Sequence, residues 1–179
     1  MDKKMDKIIE LFIKEPEREF HVREVANITK ISPTSASKYL KEYKKEGYLT
    51  SKTKLNHLFF KADTENINFR NIKLYYNLSK LTASGLIDFL AEELNPETVV
   101  LFGSFAKAEN SISSDIDLFV ISNSKKELNP EKYEHKLKTK IHLFIHSVKE
   151  LEAMKTNNKH LLNNVINGLI LYGFFEVFR

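Results

Sequence analysis

The chain has 179 residues, with 28 Lys and Arg against 24 Asp and Glu and a formal net charge of +4. It contains no cysteine, which excludes a disulfide framework and a thiolate metal site. No apolar run approaches the ~18 residues of a membrane span, and the first residues lack the apolar core of a signal peptide. We therefore expect a cytoplasmic protein with no membrane partner.

Charge is distributed unevenly along the chain. Residues 1–80 carry 17 Lys and Arg against 11 Asp and Glu, whereas residues 81–179 carry 11 against 13. A basic first half and an acidic second half indicate that the two halves have different partners.

The first half begins with two helical patterns. Apolar residues at helical spacing predict a helix over residues 6–14, which Pro16 ends. A short helix around residues 22–26 follows, and then a turn over residues 27–31.

A more clearly delimited helix comes after this turn. Ser32 is a favoured N-cap residue, Pro33 is favoured at the first helical position, and Gly47 marks the end of the helix. Two strands are predicted next, over residues 48–51 and 58–61, and the segment between them forms a basic and polar tip.

This order of helix, short helix, turn, capped helix and hairpin resembles a winged helix-turn-helix domain of the MarR/ArsR type, here covering residues 1–64. The resemblance implies double-stranded DNA as a partner and a two-fold homodimer. Candidate contacts to phosphates and groove lie on the capped helix and the wing: Thr34, Ser35, Ser37, Lys38, Lys41, Lys52 and Lys54. The alternative is a winged helix used only for protein contacts.

A polar boundary separates this domain from the rest of the chain. A helix over residues 65–81 is expected to link the domains or to pair two subunits. Ser84 is expected to cap the next helix, whose apolar stripe ends at Leu94 before Pro96. A strand over residues 98–102 then opens a second sheet.

Helices and strands alternate in the last third of the chain. The patterns predict a helix over residues 131–138, a strand over 141–146, a helix over 148–155 capped by Ser147, and a helix over 159–167. The apolar ending over residues 169–178 is consistent with either a last strand or an interface.

The segment LFGSFAKAENSISSDIDLFV, residues 101–120, carries the clearest chemical pattern. Asp115 and Asp117 are two apart on a predicted strand, so both side chains leave the same face and form a hard oxygen site for Mg²⁺. Gly103 and Ser104 end the preceding strand before a helix start, which offers close backbone approach and free N–H groups to a phosphate. An ordinary turn is the alternative for either half alone.

The same segment resembles the signature of the DNA polymerase β-like nucleotidyltransferase superfamily, G-S-x-A-x-G followed by S-D-x-D-L. The matching residues are Gly103, Ser104, Ala106, Ser114, Asp115, Asp117 and Leu118. The resemblance implies a minimal α/β (α+β) nucleotidyltransferase domain with a mixed sheet over residues 82–179. It further implies a nucleoside triphosphate, with Mg²⁺ or Mn²⁺ on the two aspartates and nucleotide contacts from Gly103, Ser104, Lys107 and Ser114.

Three positions depart from the family pattern. Ala108 stands where the second glycine is usual, and Lys107 stands where an arginine is frequent. The family's third carboxylate falls on the strand over residues 141–146, where the matching residue is His142. The catalytic set implied by the resemblance is Asp115, Asp117 and His142. A neutral imidazole accepts a proton or binds a transition metal but suits Mg²⁺ poorly, and His142 can equally be an ordinary surface histidine.

Two functions remain open at this point. The first is transfer of a nucleoside monophosphate to a hydroxyl acceptor, which is a protein side chain, as in antitoxins that adenylylate a partner toxin, or a small molecule. The second is a DNA-binding transcriptional regulator whose degenerate nucleotidyltransferase domain binds nucleotide or mediates dimerisation. His142 and Ala108 favour the second function, and the intact Ser114–Asp117 segment favours the first.

Overall fold

The computed structural model describes residues 3–54 and 56–177, with side chains from residue 7 onward. Leu55 of the predicted wing tip and Phe178 of the predicted apolar ending lie outside the described residues. The contacts divide the chain into two compact units, Met1–Lys73 and Leu74–Arg179.

The first unit has the winged helix-turn-helix architecture that the sequence predicts. Its elements are α1 (Lys3–Lys14), β1 (Phe20–His21), α2 (Val22–Thr29), α3 (Pro33–Lys45), β2 (Leu49–Lys54) and β3 (His57–Ala62). The strands form an antiparallel sheet in the order β1-β3-β2. The helix α4 (Ile67–Ser84) follows, and the division between the two units falls inside it.

Local signals start α3 where the sequence indicates. Ser32 accepts a hydrogen bond from the Ser35 N–H at 3.1 Å, and Pro33 occupies the first turn. Ala36, Leu40 and Tyr43 then lie on one buried face, which packs against α1 and α2.

Three details of the first unit correct the sequence predictions. Helix α2 continues to Thr29, so the predicted turn over residues 27–31 begins only at Lys30. Strand β2 extends to Lys54, so Lys52 and Lys54 lie on the strand and not in the tip. Strand β1 was not predicted, because two residues are too few to show an alternating pattern.

The second unit is built on a mixed sheet. Its elements after α4 are α5 (Leu86–Leu94), β4 (Thr98–Phe102), α6 (Gly103–Ala106), β5 (Ile116–Ile121), α7 (Glu131–Leu137), β6 (Ile141–His146), α8 (Val148–Asn157), α9 (Lys159–Ile166) and β7 (Leu169–Gly173). The strand order is β6-β5-β4-β7, with β5 and β6 parallel and the other pairs antiparallel.

The predicted elements of this unit are present, with one shifted strand start and one shifted cap. Strand β5 begins at Ile116, so Asp117 lies on the strand and Asp115 directly precedes it. Ser84 is the last residue of α4, and Gly85 holds the N-cap position of α5. The Ser84 hydroxyl nevertheless accepts a hydrogen bond from the Leu86 N–H at 3.1 Å. The first part of the apolar ending, Leu169–Gly173, forms the edge strand β7, as the first of its two alternatives expects.

Alternating strand residues build a core on each face of the sheet. One face carries Leu101, Leu118 and Ile141 and packs with the buried side of α5. The other face carries residues such as Phe102 and Phe119 and packs with apolar residues of α8 and α9. None of the helices in the described part of the chain is long and apolar enough to cross a membrane.

Candidate active site and nucleic-acid surface

The ends of three strands meet at one edge of the sheet in the second unit. The antiparallel register of β4 and β5 pairs Phe102 with Asp117. The parallel register of β5 and β6 pairs Asp117 with His142. The strand pairing thus brings Asp117 and His142 together although they are 25 residues apart in the sequence. Asp117 also lies next to the end of β4, where the chain continues into α6.

The imidazole of His142 lies between the two carboxylates. Its Nδ1 atom is 3.4 Å from Asp117 Oδ1, and its Nε2 atom is 3.8 Å from Asp115 Oδ2. The His142 side chain is 52% exposed and that of Asp117 is 27% exposed. The three groups therefore form one cluster that opens to solvent, where a ligand can reach it.

Burial raises the pKa of Asp117 above its usual value. The neighbouring His142 opposes this shift, and Asp115 adds to it by charge repulsion. A carboxylate in this environment is incompletely compensated by its protein neighbours. A cation brought by a ligand would therefore interact favourably with it.

Gly103 makes the close approach of Asp117 possible. Its φ angle is +71°, in the left-handed region that glycine adopts without strain. A Cβ atom at this position would lie 2.6 Å from Asp117 Oδ2. The sequence assigned Gly103 to phosphate binding, and the structure shows that the position of Asp117 also depends on it.

Ala108 has the backbone conformation of a glycine. Its φ angle is +56°, and the residue is buried. The turn is held by a hydrogen bond of 2.9 Å from the Glu109 N–H to the Ser104 carbonyl. The glycine that is usual in the family adopts this backbone conformation without strain. The alanine of this chain keeps the same turn, but in a conformation that is strained for an L residue.

The other predicted nucleotide contacts lie around this cluster. Ser104 is in the single turn of α6, whose first residue has no side-chain cap, and the exposed Lys107 directly follows that turn. Ser114 accepts a hydrogen bond of 2.8 Å from the Ser111 N–H, so its hydroxyl shapes the loop that leads to Asp115.

Sequence reasoning missed Asn77 of α4. This residue is 94% buried. Its side-chain amide donates hydrogen bonds to the Phe105 carbonyl at 3.3 Å and to Asn110 Oδ1 at 2.8 Å. Asn77 therefore anchors the connection between β4 and β5. The available signal was its helical spacing with Leu81, which places an amide on the buried face of α4.

The donor set fits a divalent ion only in part. Two carboxylates are sufficient for Mg²⁺ when the ion also binds substrate phosphates and water. The third side chain is an imidazole, which hard cations accept poorly. Within residues 7–54 and 56–177, no group of three or more His, Asp or Glu side chains is arranged to hold a metal ion.

In the first unit, the predicted residues of α3 form a polar face. Thr34, Lys38 and Lys41 are exposed at helical spacing, and together with Pro33 and Ser37 they line a shallow open depression. The Ser35 hydroxyl instead accepts a hydrogen bond of 2.9 Å from the Ser32 hydroxyl, within the N-cap.

The two predicted wing lysines share one acidic partner. Lys54 Nζ is 2.7 Å from Glu19 Oε2, and Lys52 forms an ion pair with the other oxygen of the same carboxylate. Hydrogen bonds from Lys52 and then Lys54 lower the pKa of Glu19. Part of the positive charge of the wing is therefore neutralised inside the unit.

The mixed sheet and its β4–α6–β5 connection define the second unit as a small nucleotidyltransferase fold beside a winged helix-turn-helix. The family model described as "Polymerase beta, Nucleotidyltransferase" matches residues 84–173, half of the chain. The chain belongs to this family. No curated protein matches the chain.

Two solved structures resemble parts of the chain. One is the homodimeric winged helix-turn-helix DNA-binding domain (fragment 1–100) of Mb0332 from Mycobacterium bovis, described as a possible ArsR-family transcriptional regulator. It is 17% identical, and the match covers 49% of this chain and 74% of that chain with a TM-score of 0.38. The other is TrmBL2, an archaeal chromatin protein, at 11% identity, 85% and 72% coverage and a TM-score of 0.26. Scores this low do not bear on function.

Proposed function

We propose that this chain is a nucleotidyltransferase that moves a nucleoside monophosphate from a triphosphate bound with Mg²⁺ or Mn²⁺ to a hydroxyl acceptor, and that its winged helix binds double-stranded DNA. One observation carries the first part. In a member of the polymerase β family, Asp115, Asp117 and His142 cluster beside the Gly103 turn.

The residues of the cluster have separate tasks in this proposal. The Gly103–Ser104 backbone approaches the phosphates, and Lys107 and Ser114 offer an ammonium and a hydroxyl nearby. Asp115 and Asp117 hold the divalent ion. A bound ion would supply the neutralisation of phosphate charge that phosphoryl-type transfer mainly requires.

The transfer step forms one phosphorus–oxygen bond and breaks another. The acceptor oxygen attacks the α-phosphorus, and the bond from that phosphorus to the α–β bridging oxygen breaks, so that pyrophosphate leaves. His142 accepts the proton of the acceptor hydroxyl.

Binding of the triphosphate tests the site assignment. Asp117→Ala should abolish Mg²⁺-dependent triphosphate binding in calorimetry, because it removes one of the two carboxylates. Asp88→Ala, an exposed aspartate on α5, is the matched control and should bind as the wild type does. Equal binding by Asp117→Ala and the wild type would contradict the assignment.

Transfer of label from a labelled triphosphate can identify the hydroxyl acceptor. We propose a protein side chain, including one on a toxin-type partner, or a small hydroxyl compound. Incubation with co-purifying proteins, followed by detection of a transferred nucleotide, distinguishes these acceptors. Label transfer that persists in Asp117→Ala would exclude this site as its source.

His142 favours a second candidate function. Because an imidazole replaces the carboxylate usual in the family, the domain can also act as a nucleotide-binding part of a DNA-binding regulator that does not transfer the nucleotide. Tight binding of the triphosphate with no transfer to any acceptor would support this candidate.

The DNA proposal is supported by the exposed stripe on α3. Phosphate contacts should dominate, because the stripe offers hydroxyls and lysines and no arginine. Lys38→Ala should lower the slope of log affinity against log salt by about one unit. Lys132→Ala, an exposed lysine of α7, is the control and should leave the slope unchanged.

Glu19 gives an independent test of the wing. If Lys52 and Lys54 contact phosphate, Glu19 competes with DNA for both ammonium groups. Glu19→Gln should then raise affinity for duplex DNA by about two- to fivefold, the range of exposed ion pairs. Lower affinity in this variant would contradict a role of the wing in DNA binding. A roughly palindromic site bound by a homodimer is expected.

A further inference from the structure

The proposed active site lacks one negative charge that a pair of divalent ions requires. Two-metal sites hold their ions about 3.5–4 Å apart, and anionic ligands must offset the repulsion between the ions. Here the third ligand position, opposite Asp117 in the register of β5 and β6, holds His142. An imidazole carries no negative charge in either protonation state.

We infer that this site binds its nucleotide with a single divalent ion, held by Asp115 and Asp117, and that His142 occupies the place of the second ion. This inference rests on the proposed function of the same residues. It adds a metal stoichiometry to that proposal.

The positions of both ring nitrogens support a single ion. Nδ1 faces Asp117 at 3.4 Å and Nε2 faces Asp115 at 3.8 Å. One oxygen of each carboxylate therefore lies near the ring, and the imidazole occupies the space between the two carboxylates and β6. A second ion between the carboxylates and β6 would have to displace the ring.

Neighbouring acidic residues do not replace the missing charge. Glu134 contacts the start of β6 through its Oε1 atom, which accepts a hydrogen bond of 2.9 Å from the Ile141 N–H. This carboxylate is thus engaged in joining α7 to the strand. In the part of the chain that the structure describes, no third carboxylate joins Asp115 and Asp117 in a metal-holding group.

Substitutions at His142 test the number of ions. His142→Asp should replace the imidazole by a charged oxygen ligand and permit a second ion. His142→Asn has the size of aspartate without its charge, so it is the matched control.

Electron paramagnetic resonance with Mn²⁺ counts the ions directly. The three proteins are titrated with Mn²⁺ and a non-hydrolysable triphosphate analogue, and the analogue alone serves as the blank. We expect one uncoupled Mn²⁺ per chain in the wild type and in His142→Asn, and a spin-coupled pair in His142→Asp. Thermal melting monitored by circular dichroism identifies any variant that has not folded.

Each outcome bears on one proposal or the other. A coupled pair in the wild type, or a single ion in folded His142→Asp, would overturn the one-ion inference and leave the nucleotide site intact. Absence of bound Mn²⁺ in the folded wild type and both folded variants would refute the proposed nucleotide site itself, and the inference with it. If His142→Asp does not fold, His142→Glu takes its place in the experiment. A spin-coupled Mn²⁺ pair in His142→Glu would then support the inference, and a single ion would overturn it.

Discussion

The connection between β4 and β5 turns left-handed twice, and the two turns have different requirements. Gly103 has a φ angle of +71° and leaves no room for a side chain, because Asp117 would be 2.6 Å from its Cβ atom. Ala108 has a φ angle of +56° and accommodates a buried methyl group. The first turn needs glycine for space and conformation, whereas the second needs it only for conformation.

This difference explains which family glycine the chain retains. A side chain at residue 103 would displace a carboxylate of the proposed site. At residue 108 the penalty is confined to the backbone, at about 1–2 kcal/mol. A chain can tolerate the second penalty without changing the position of any group in the proposed site.

Gly103→Ala is expected to have the largest effect. The left-handed conformation costs about 1–2 kcal/mol and the forced movement of Asp117 about 1–3 kcal/mol more. Mg²⁺-dependent triphosphate binding should fall by about fivefold or more, because returning Asp117 to its binding position costs the same ~1–3 kcal/mol. Chemical denaturation and calorimetry measure the two effects.

Gly85→Ala is the control for this change. Gly85 has a φ angle of +81°, and no atom lies within 4 Å of the position of its Cβ. The variant should lose about 1–2 kcal/mol and bind triphosphate normally. Equal loss of binding in both variants would show that the backbone, and not the contact with Asp117, requires glycine at residue 103.

Asn77→Ala should have an intermediate effect on stability. It removes both hydrogen bonds to the β4–β5 connection and leaves two part-buried acceptors, the Phe105 carbonyl and Asn110 Oδ1, without this donor. The expected loss is about 1–3 kcal/mol. Because the anchored segment carries Lys107, triphosphate affinity should also fall.

Asn68→Ala is the control that separates the loss of an asparagine hydrogen bond from the loss of triphosphate affinity. Asn68 donates a hydrogen bond of 2.8 Å to the Glu46 carbonyl at an exposed site in the first unit. Its loss should cost less than that of Asn77 and leave triphosphate binding unchanged. Asn77→Ala with normal binding would mean that the connection keeps its shape without this anchor.

Ala108→Gly should have the smallest effect, and the opposite sign. Relief of the left-handed strain should stabilise the protein by about 0.5–1 kcal/mol, because the loss of a buried methyl group and the greater freedom of the unfolded chain offset part of the gain. Ala106→Gly, within α6, should instead destabilise by about 0.5–1 kcal/mol. Equal signs in thermal melting would contradict the strain at Ala108.

Most helices and strands could be predicted from the sequence, because their signals are local. Ser32 and Pro33 start α3 through bonds within a few residues, and apolar spacing marks the buried face of each helix. The prediction failed where local signals are short or ambiguous. The two-residue β1 has no period, and Ser84 is compatible with both the end of one helix and the start of the next.

The sequence by itself indicated that Asp115 and Asp117 act together, from their spacing of two residues, although only Asp117 lies on β5 and Asp115 directly precedes it. Only the tertiary structure decided what meets these two carboxylates. The position of His142 beside Asp117 depends on the register of β5 and β6. Asn77 bonds to residues of the β4–β5 connection, and Glu19 pairs with Lys52 and Lys54. These partners are 28 or more residues apart in the sequence. Such contacts arise from strand pairing and packing across the chain, which local propensity does not encode.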